Sequence, residues 1–324
     1  MGELDVSVLL PFYDSRSTLL QAVESVLSND DEVNFELILI DDGSTDYPEP
    51  VLELFWDDAR VTVVRQENRG LAHALNRGLK EARGRYIARM DADDVSVAGR
   101  LGKQLQYLDQ TPAAVLVGGQ ITRVVNQTVV DNSNFPTEHA DILNGLLAGR
   151  HVMCHPAVMF RKDVVATLGG YWSHGVAEDW DLFLRLAEVG ELSNLPDTVL
   201  NYRYHAGSIN SRSMIAVRTN IALAIENHRR RSSGEVELNP EEFRTVSTRW
   251  RKIVIRFESA SLAVYRRALS QRSARETASR LKSALLLLVA ALLYPPFAIR
   301  RVARAVRVRA AGSWSSRVNS FSRK

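Results

Sequence analysis

Three short stretches crowd carboxylates together in ways that call for a chemical reason. Asp91-Ala92-Asp93-Asp94 places three acids within four positions, directly after an apolar run from Tyr86 to Met90. Like charges this close repel, so they sit together comfortably only in open water or around a cation. One reading is a solvated turn leading into a helix, where aspartate is favoured. The other is a divalent metal site, because Asp-X-Asp projects two oxygen ligands toward one point, as Mg2+ or Mn2+ requires. Asp41-Asp42-Gly43 likewise ends an apolar run, Phe35 to Ile40. A carboxylate there can accept hydrogen bonds from ribose hydroxyls or a base N–H, and Gly43 lets the backbone turn beneath a ligand; an ordinary Asp-Gly turn is the plainer account. Glu178-Asp179 precedes apolar residues at helical spacing, Leu182, Phe183 and Leu186. The pair therefore stands near a helix N-terminus, where negative charge is stabilised, as a cap or as a base that takes a proton from a hydroxyl.

These acids need a frame that brings them together. Asp5 to Pro11 reads as a strand stopped by proline, and Thr18 to Leu27 as a helix with Leu19, Leu20, Val23, Val26 and Leu27 at helical spacing. Phe35 to Ile40 and Val61 to Val64 are further strands, Leu71 to Ala82 a second helix, and Tyr86 to Met90 a fourth strand. Alternation at this spacing predicts an α/β fold with a Rossmann-like, mostly parallel central sheet and flanking helices, whose ligands bind at the carboxyl ends of the strands. Both aspartate clusters fall at such ends and are expected to face one crevice. No GxGxxG or GxxxxGK(S/T) loop follows the first strand, against a dinucleotide enzyme or a P-loop NTPase. Phosphates bound here would need a metal to neutralise them. Further along, Arg100-Leu101 and Leu105 to Leu108 begin a helix, Val115 to Gly118 and Ile121 to Val125 are strands, and Ala140 to Leu147 is a helix. His151 to Arg161 reads as a strand in which Pro156 forbids a regular helix, so His151 and His155 are expected to pack and hydrogen-bond rather than hold a metal.

At 324 residues, 45% hydrophobic and 24% charged, the chain is long enough for one large α/β domain plus an appendage. The single cysteine, Cys154, allows no intramolecular disulfide and no cysteine metal cluster, and the first residues lack a secretory pattern. A cytoplasmic setting is therefore expected. The net charge of +3 conceals an asymmetry: residues 212–324 carry 24 of the 41 Lys/Arg and 7 of the 38 Asp/Glu, which sets +17 there against −14 on residues 1–211. Such a split suggests an enzyme body joined to a segment for an anionic surface.

Pro11-Phe12-Tyr13-Asp14, Ile40 to Asp46, Glu67 to Ala72 with Asn76 and Gly78, and Met90 to Asp94 occur in the order and approximate spacing of the family 2 glycosyltransferases with the GT-A fold, which this chain resembles. The resemblance implies that Pro11, Tyr13, Asp41 and Asp42 bind the base and ribose of a nucleotide. Asp91 and Asp93 match the Asp-X-Asp motif, Asp91 serving both nucleotide and metal, and Asp93 being the direct ligand of a Mn2+ or Mg2+ that bridges the diphosphate. Arg69 and Asn76 are implied as secondary contacts to sugar or phosphates. Glu178-Asp179 resembles the family's catalytic pair, in which Asp179 is the base, Glu178 its positioning partner and Trp180 a wall of the sugar pocket. Arg203 to Asn210 resembles an Arg-X-His-X-X-Ser stretch: Arg203 would assist the leaving group and His205 would touch the diphosphate or metal, a structural histidine being the other account. Ala98-Gly99 stand where the family often has proline. The Gln-X-X-Arg-Trp pattern of processive relatives is absent, which implies transfer of one or a few sugars.

The activity so implied is inverting transfer from a nucleotide-diphosphate sugar, a UDP-sugar, to a glycan or lipid-linked acceptor in cell-envelope polysaccharide or glycolipid synthesis. A nucleotidyltransferase and an inactive membrane-bound scaffold of the same fold are the alternatives. Residues 1–211 are expected to form the catalytic domain, with a nucleotide-binding half over 1–97 and an acceptor half over 98–211, and 212–324 a helical, basic extension. Within the extension, Ile215 to Ile225 and Arg249 to Leu269 read as helices, and Ser283 to Ile299 is a run of 17 uncharged residues interrupted by Pro295-Pro296. Residues 300–324 hold eight Lys/Arg and no acid, which keeps this end cytoplasmic. Segment 283–309 is therefore expected to lie on the inner face of the cell membrane, with a span, a packed helix or an oligomer contact as alternatives. Nucleic acid would explain the charge but not the apolar run, and none is expected as a partner.

Overall fold

The apolar runs that open the chain pair as parallel strands. In the computed structural model, which describes residues 4–28, 33–125, 127–173, 175–203, 214–272, 286 and 288–290, β1 (Val6–Phe12), β2 (Phe35–Asp41), β3 (Val61–Arg65) and β4 (Tyr86–Arg89) lie in the order β3-β2-β1-β4, all parallel. Every residue of β1, β2 and β4 is buried, which is why these segments are apolar on both faces instead of alternating. Helices α1 (Arg16–Leu27), the single turn α2 (Glu49–Leu52) and α3 (Leu71–Glu81) make the crossings. The two-residue period of the strands sorts them between the faces. Val6, Val8, Leu10 and Phe12 join Leu19, Ala22, Val23 and Val26 of α1 in the main core. On the opposite face Gly78 brings α3 so close that a Cβ would sit 3.0 Å from Ile40 and 3.1 Å from Leu9.

Beyond β4 the sheet continues in the order β8-β6-β9-β5, with β7 beside β6. These are β5 (Val95–Ser96), β6 (Ala114–Val125), β7 (Thr128–Asn132), β8 (Met159–Arg161) and β9 (Glu191–Arg203), interleaved with α4 (Arg100–Gln110), α5 (His139–Leu147), α6 (Lys162–Thr167) and α7 (Glu178–Ala187). β8 runs antiparallel to both β4 and β6, and β6 parallel to β9. Only β5, β7 and β8 oppose the common direction, so the sheet is mixed but mostly parallel, as expected. Two local expectations change. His151 to Arg161 is not one strand: His155–Ala157 form a 3-10 turn and only Met159–Arg161 pair, because the proline cannot donate to a ladder. Val115–Gly118 and Ile121–Val125 are parts of one 12-residue strand, with register shifts on either side of Gln120.

A polar lock at the amino edge fixes where β4 starts. The Ser7 hydroxyl donates to Glu36 Oε1 (2.7 Å) and accepts from the Gly84 N–H (2.8 Å), while the Arg83 N–H also reaches Glu36 Oε1 (2.8 Å). Gly84 is required because a Cβ there would meet Ser7 N at 2.5 Å. The chain divides into two compact units, residues 1–204 with 220–244 and residues 205–219 with 245–324. The carboxyl-terminal elements are helical: α8 (Met214–Ser232), α9 (Pro240–Val246) and α10 (Arg249–Arg272). Among the described residues no helix is long and apolar enough to cross a membrane. The uncharged run 283–299 falls almost wholly outside the described residues.

Candidate active site

The carboxyl edge of the parallel strands is built from interlocked loops. At the end of β2, Asp41 Oδ1 accepts from the Ser44 N–H (2.8 Å) and shapes the turn, with Gly43 at φ +78° and its backbone packed on Asn68. A side chain at Gly43 would meet Asn68 N at 2.7 Å. Asp42 uses both oxygens on the β3–α3 loop: Oδ1 accepts from Gln66 Nε2 (2.7 Å) and the Arg69 N–H (3.0 Å), and Oδ2 from the Gly70 N–H (2.8 Å). It thereby presents Arg69, whose side chain is exposed. The β1–α1 loop is stitched to the same edge, since Asp14 Oδ1 accepts from the Thr45 N–H (2.7 Å) and Asp46 Oδ2 from the Arg16 N–H (2.7 Å). Pro11 is buried in β1, and Tyr13 stands 46% exposed above it.

After β4 come Asp91, Asp93 and Asp94, which offer carboxylate oxygens that all lie within 4.8 Å of one another. Asp94 is fully buried: one oxygen accepts from the Arg203 N–H of β9 (2.8 Å), and the other has no hydrogen-bond partner. Burial, reinforced by the charges of Asp91 and Asp93, holds its pKa well above the ordinary carboxylate range. Clustered oxygens, one of them buried and unsatisfied, fit a hard divalent cation, with half-buried Asp91 and Asp93 as the accessible ligands. Two buried arginines organise this loop. Arg100 donates to the Arg89 carbonyl (2.7 Å) and to Gln104 Oε1 (3.0 Å), which ties the first turn of α4 to the end of β4. Arg89 points its guanidinium at Asp91, Nη2 to Oδ1 at 2.6 Å, and its Nε and Nη1 are buried without hydrogen-bond partners. Burial works against the Arg89 charge, but the Asp91 carboxylate more than offsets it and raises the pKa.

The second pair of acids approaches the same charges. Glu178 and Asp179 open α7 behind Ala177, a non-glycine residue in the left-handed region at φ +68°, a conformation that costs about 1 kcal/mol and turns the helix start inward. Glu178 is buried, and burial together with the charge of Asp179 pushes its pKa up to about 8. Asp179 is half-buried; burial of its carboxyl raises its pKa as well, against a hydrogen bond from the Trp180 N–H (2.8 Å) and the charge of Arg89. Asp91 lies near enough to add to both shifts and Arg89 near enough to oppose both, so the two acidic loops share one electrostatic environment. Behind Glu178, His155 Nδ1 stands 3.8 Å from Oε1 and His155 Nε2 2.9 Å from the Tyr171 hydroxyl. Burial, with Arg89 nearby, keeps this imidazole neutral by lowering its pKa well below the usual value.

Other residues singled out by sequence have different surroundings. Asn76 pairs twice with the Tyr171 backbone, its Nδ2 donating to the carbonyl and its Oδ1 accepting the N–H, both at 2.8 Å. Its amide is thus committed to joining α3 to the Gly169-Gly170 turn. Trp180 is 2% exposed, its indole N–H donating to the Leu146 carbonyl (3.3 Å) and its ring meeting His151 edge-on at 5.6 Å. The ring fills the space between α5 and α7. Arg203 is half-buried at the end of β9, and its guanidinium bonds Gln21 of α1. His205 lies outside the described residues. Sequence reading passed over Arg89, hidden inside an apolar run, and Tyr171; a charge one position before a strand ends in three acids was the available signal for the first.

The mixed sheet, with helices on both faces and acids along one edge, is that of a GT-A fold. Solved structures share it: Staphylococcus aureus TarS 1–349 in complex with UDP-GlcNAc (TM-score 0.57, 16% identity, 90% of this chain and 92% of that one) and the mannosyltransferase PcManGT of Pyrobaculum calidifontis in complex with GDP-Man and Mn2+ (TM-score 0.55, 21% identity, 96% and 87%). Residues 7–169 match the family model Glycosyl transferase family 2, and the chain belongs to that family. The amylovoran biosynthesis glycosyltransferase AmsE of Erwinia amylovora is 30% identical over 211 residues (64% of this chain, 79% of that protein), and the O-antigen biosynthesis glycosyltransferase WbnJ of Escherichia coli 31% over 207 (62% and 80%). The chain is a glycosyltransferase, which sets the nucleotidyltransferase alternative aside.

Proposed function

We propose that this glycosyltransferase transfers a sugar with inversion from a UDP-sugar to a glycan or lipid-linked acceptor in cell-envelope polysaccharide synthesis, working at the cytoplasmic face of the membrane. The observation that carries the reading is geometric: Asp91, Asp93 and Asp94 offer oxygens within 4.8 Å of one another after β4, Arg89 braces Asp91 at 2.6 Å, and the acids Glu178 and Asp179 open α7. The relatives named for amylovoran and O-antigen biosynthesis support the polysaccharide setting, and the neighbours bound to UDP-GlcNAc or to GDP-Man with Mn2+ support a nucleotide-sugar donor.

In this reading Pro11, Tyr13 and Asp41 receive the base and ribose, while Asp42 holds the loop that delivers Arg69 to the donor. Asp91, braced by Arg89, faces the nucleotide, and Asp93 with Asp91 holds Mn2+ or Mg2+. The bound ion would supply charge compensation for the departing diphosphate. Asp179 takes the acceptor hydroxyl proton as the new bond to the anomeric carbon forms and the bond to the diphosphate breaks on the opposite side. Burial makes its carboxylate a stronger proton acceptor than a solvated aspartate, and Glu178 keeps it oriented at the start of α7. Residues 1–211 would do this work, and the basic residues 212–324 would keep it at the anionic leaflet. The test is a screen of nucleotide sugars with Mn2+ or Mg2+, followed by two variants. Asp93→Asn is expected to lose the chelator-sensitive part of UDP binding in calorimetry. Asp179→Asn should keep that binding and lose about 100-fold or more in transfer rate. Full transfer by both variants would overturn the reading.

A further inference from the structure

Helix α10 carries a sorted surface that the catalytic reading does not use. Its 24 residues include seven Lys/Arg and a single acid, Glu258, which is paired with Arg218. Ile255, Ser259 and Ser261 are buried, whereas Arg249, Trp250, Arg251, Lys252, Arg256, Phe257 and Ala260 are exposed. At 3.6 residues per turn, Arg256, Arg249, Phe257 and Trp250 fall within about one third of the helix circumference, with half-buried Ile253 between them. Trp250 is 73% and Phe257 51% exposed. Two large rings two turns apart, flanked by guanidinium groups on the same sector, are poorly served by water alone. Rings at the headgroup boundary and cations at lipid phosphates would satisfy both.

A second observation places apolar sequence on the same unit. The Ser261 hydroxyl donates to the Ala290 carbonyl (2.7 Å) with both residues buried, so a residue of the uncharged run 283–299 packs on α10, and the neighbouring Leu288 and Val289 are exposed. We infer that the Arg249, Trp250, Arg256 and Phe257 face of α10 is the docking surface for an anionic lipid leaflet. The inference rests on the membrane reading above and sharpens it, moving the primary contact from segment 283–309 to a helix that precedes it. The +17 charge of residues 212–324 supplies the complementarity to anionic headgroups, and exposed Trp, Phe, Leu and Val favour a lipid boundary over nucleic acid.

The experiment uses the full chain with vesicles of equimolar phosphatidylglycerol and phosphatidylcholine, or of phosphatidylcholine alone, read by co-sedimentation. Wild type is expected to bind the anionic vesicles and to bind phosphatidylcholine far more weakly. Replacing Arg249 and Arg256 with alanine should cost about fivefold in partitioning per residue removed, and W250A with F257A about tenfold or more on the anionic vesicles. An unchanged helical circular dichroism signal and urea transition show that these surface variants remain folded. If both double variants bind like wild type, the α10 assignment is overturned while the membrane reading stands on segment 283–309. If wild type binds no vesicle, both fall. A lipid-free dimer that dissociates on W250A with F257A, or tighter binding to a single-stranded oligonucleotide than to the anionic vesicles, would also overturn the assignment.

Discussion

Glu178→Gln should make this enzyme more stable, and only above a certain pH. The substitution keeps the size and most of the hydrogen-bonding capacity of the side chain and removes its ability to ionise. Buried beside Asp179, the carboxyl is pushed up to about 8 from an ordinary value of 4.5. At pH below 4.5 it is protonated in the folded and the unfolded chain alike and contributes no difference. Between 4.5 and about 8 the unfolded chain releases a proton that the folded chain retains, so stability falls as pH rises, and above 8 the whole penalty is in place. At about 1.4 kcal/mol per pH unit the ceiling is about 5 kcal/mol. Asp179 shares the same burial and repulsion, so the part removed by Glu178→Gln alone should be about 2 to 3 kcal/mol. Urea unfolding followed by circular dichroism at about pH 4, 6 and 9 measures it, with a gain in melting temperature of about 5 °C or more expected at the highest pH. A variant equally stabilised at every pH, or less stable than wild type at about pH 9, would show that Glu178 is not a carboxyl held against its preferred charge.

Three further outcomes follow from the packing around the site. Arg89→Met strands Asp91 beside two other acids and should cost about 3 kcal/mol at neutral pH, while moving the apparent pKa of Glu178 still higher, measurable as a pH-dependent loss of stability that begins where it does in wild type and continues to a higher pH. Asp42→Asn presents an amide N–H to loop donors that now meet a carboxylate; a loss of about 2 kcal/mol and faster hydrogen exchange at Arg69 and Gly70 are expected. Gly170→Ala introduces a Cβ at 2.5 Å from Asn76 Oδ1 and at φ +76°, where an L side chain is strained; with Asn76 already fixed by two bonds it cannot step aside, and urea unfolding should register a loss of about 2 to 4 kcal/mol.

The parallel half was legible because burial on both faces writes itself as unbroken apolar runs: β1, β2 and β4 are found within a residue of where Val6, Phe35 and Tyr86 begin them. β9 was not legible. Its sequence from Glu191 to Arg203 mixes Ser193, Asn194, Pro196 and Asp197 among the apolar residues, and its strand character comes from pairing with β6 nearly eighty residues earlier, through several register shifts. The short β5 has the same cause, since Val95 and Ser96 become a strand only by meeting β9. At the candidate site, the crowding of Asp41 with Asp42 and of Asp91 with Asp93 and Asp94 is visible in the sequence itself. The committed hydrogen bonds of Asp42 and Asn76, the burial of Trp180 and the His155–Tyr171 pair depend on partners sixteen to ninety-five residues away, which no local pattern encodes.

The position of β8 has a consequence during synthesis. β4 lies inside the sheet, with β1 on one side and β8 on the other, yet β8 begins at Met159, about 70 residues after β4 ends. A nascent chain that has completed β1 to β4 therefore presents the outer rim of β4, apolar on both faces and unpaired along one side, until β8 leaves the ribosome. At about 5 to 20 residues per second that interval is roughly 4 to 14 s, long enough for edge-to-edge pairing with another nascent chain. Arg89, the one charged residue of β4, stands at this rim, so the charge that later braces Asp91 also works against edge pairing by an unfinished sheet.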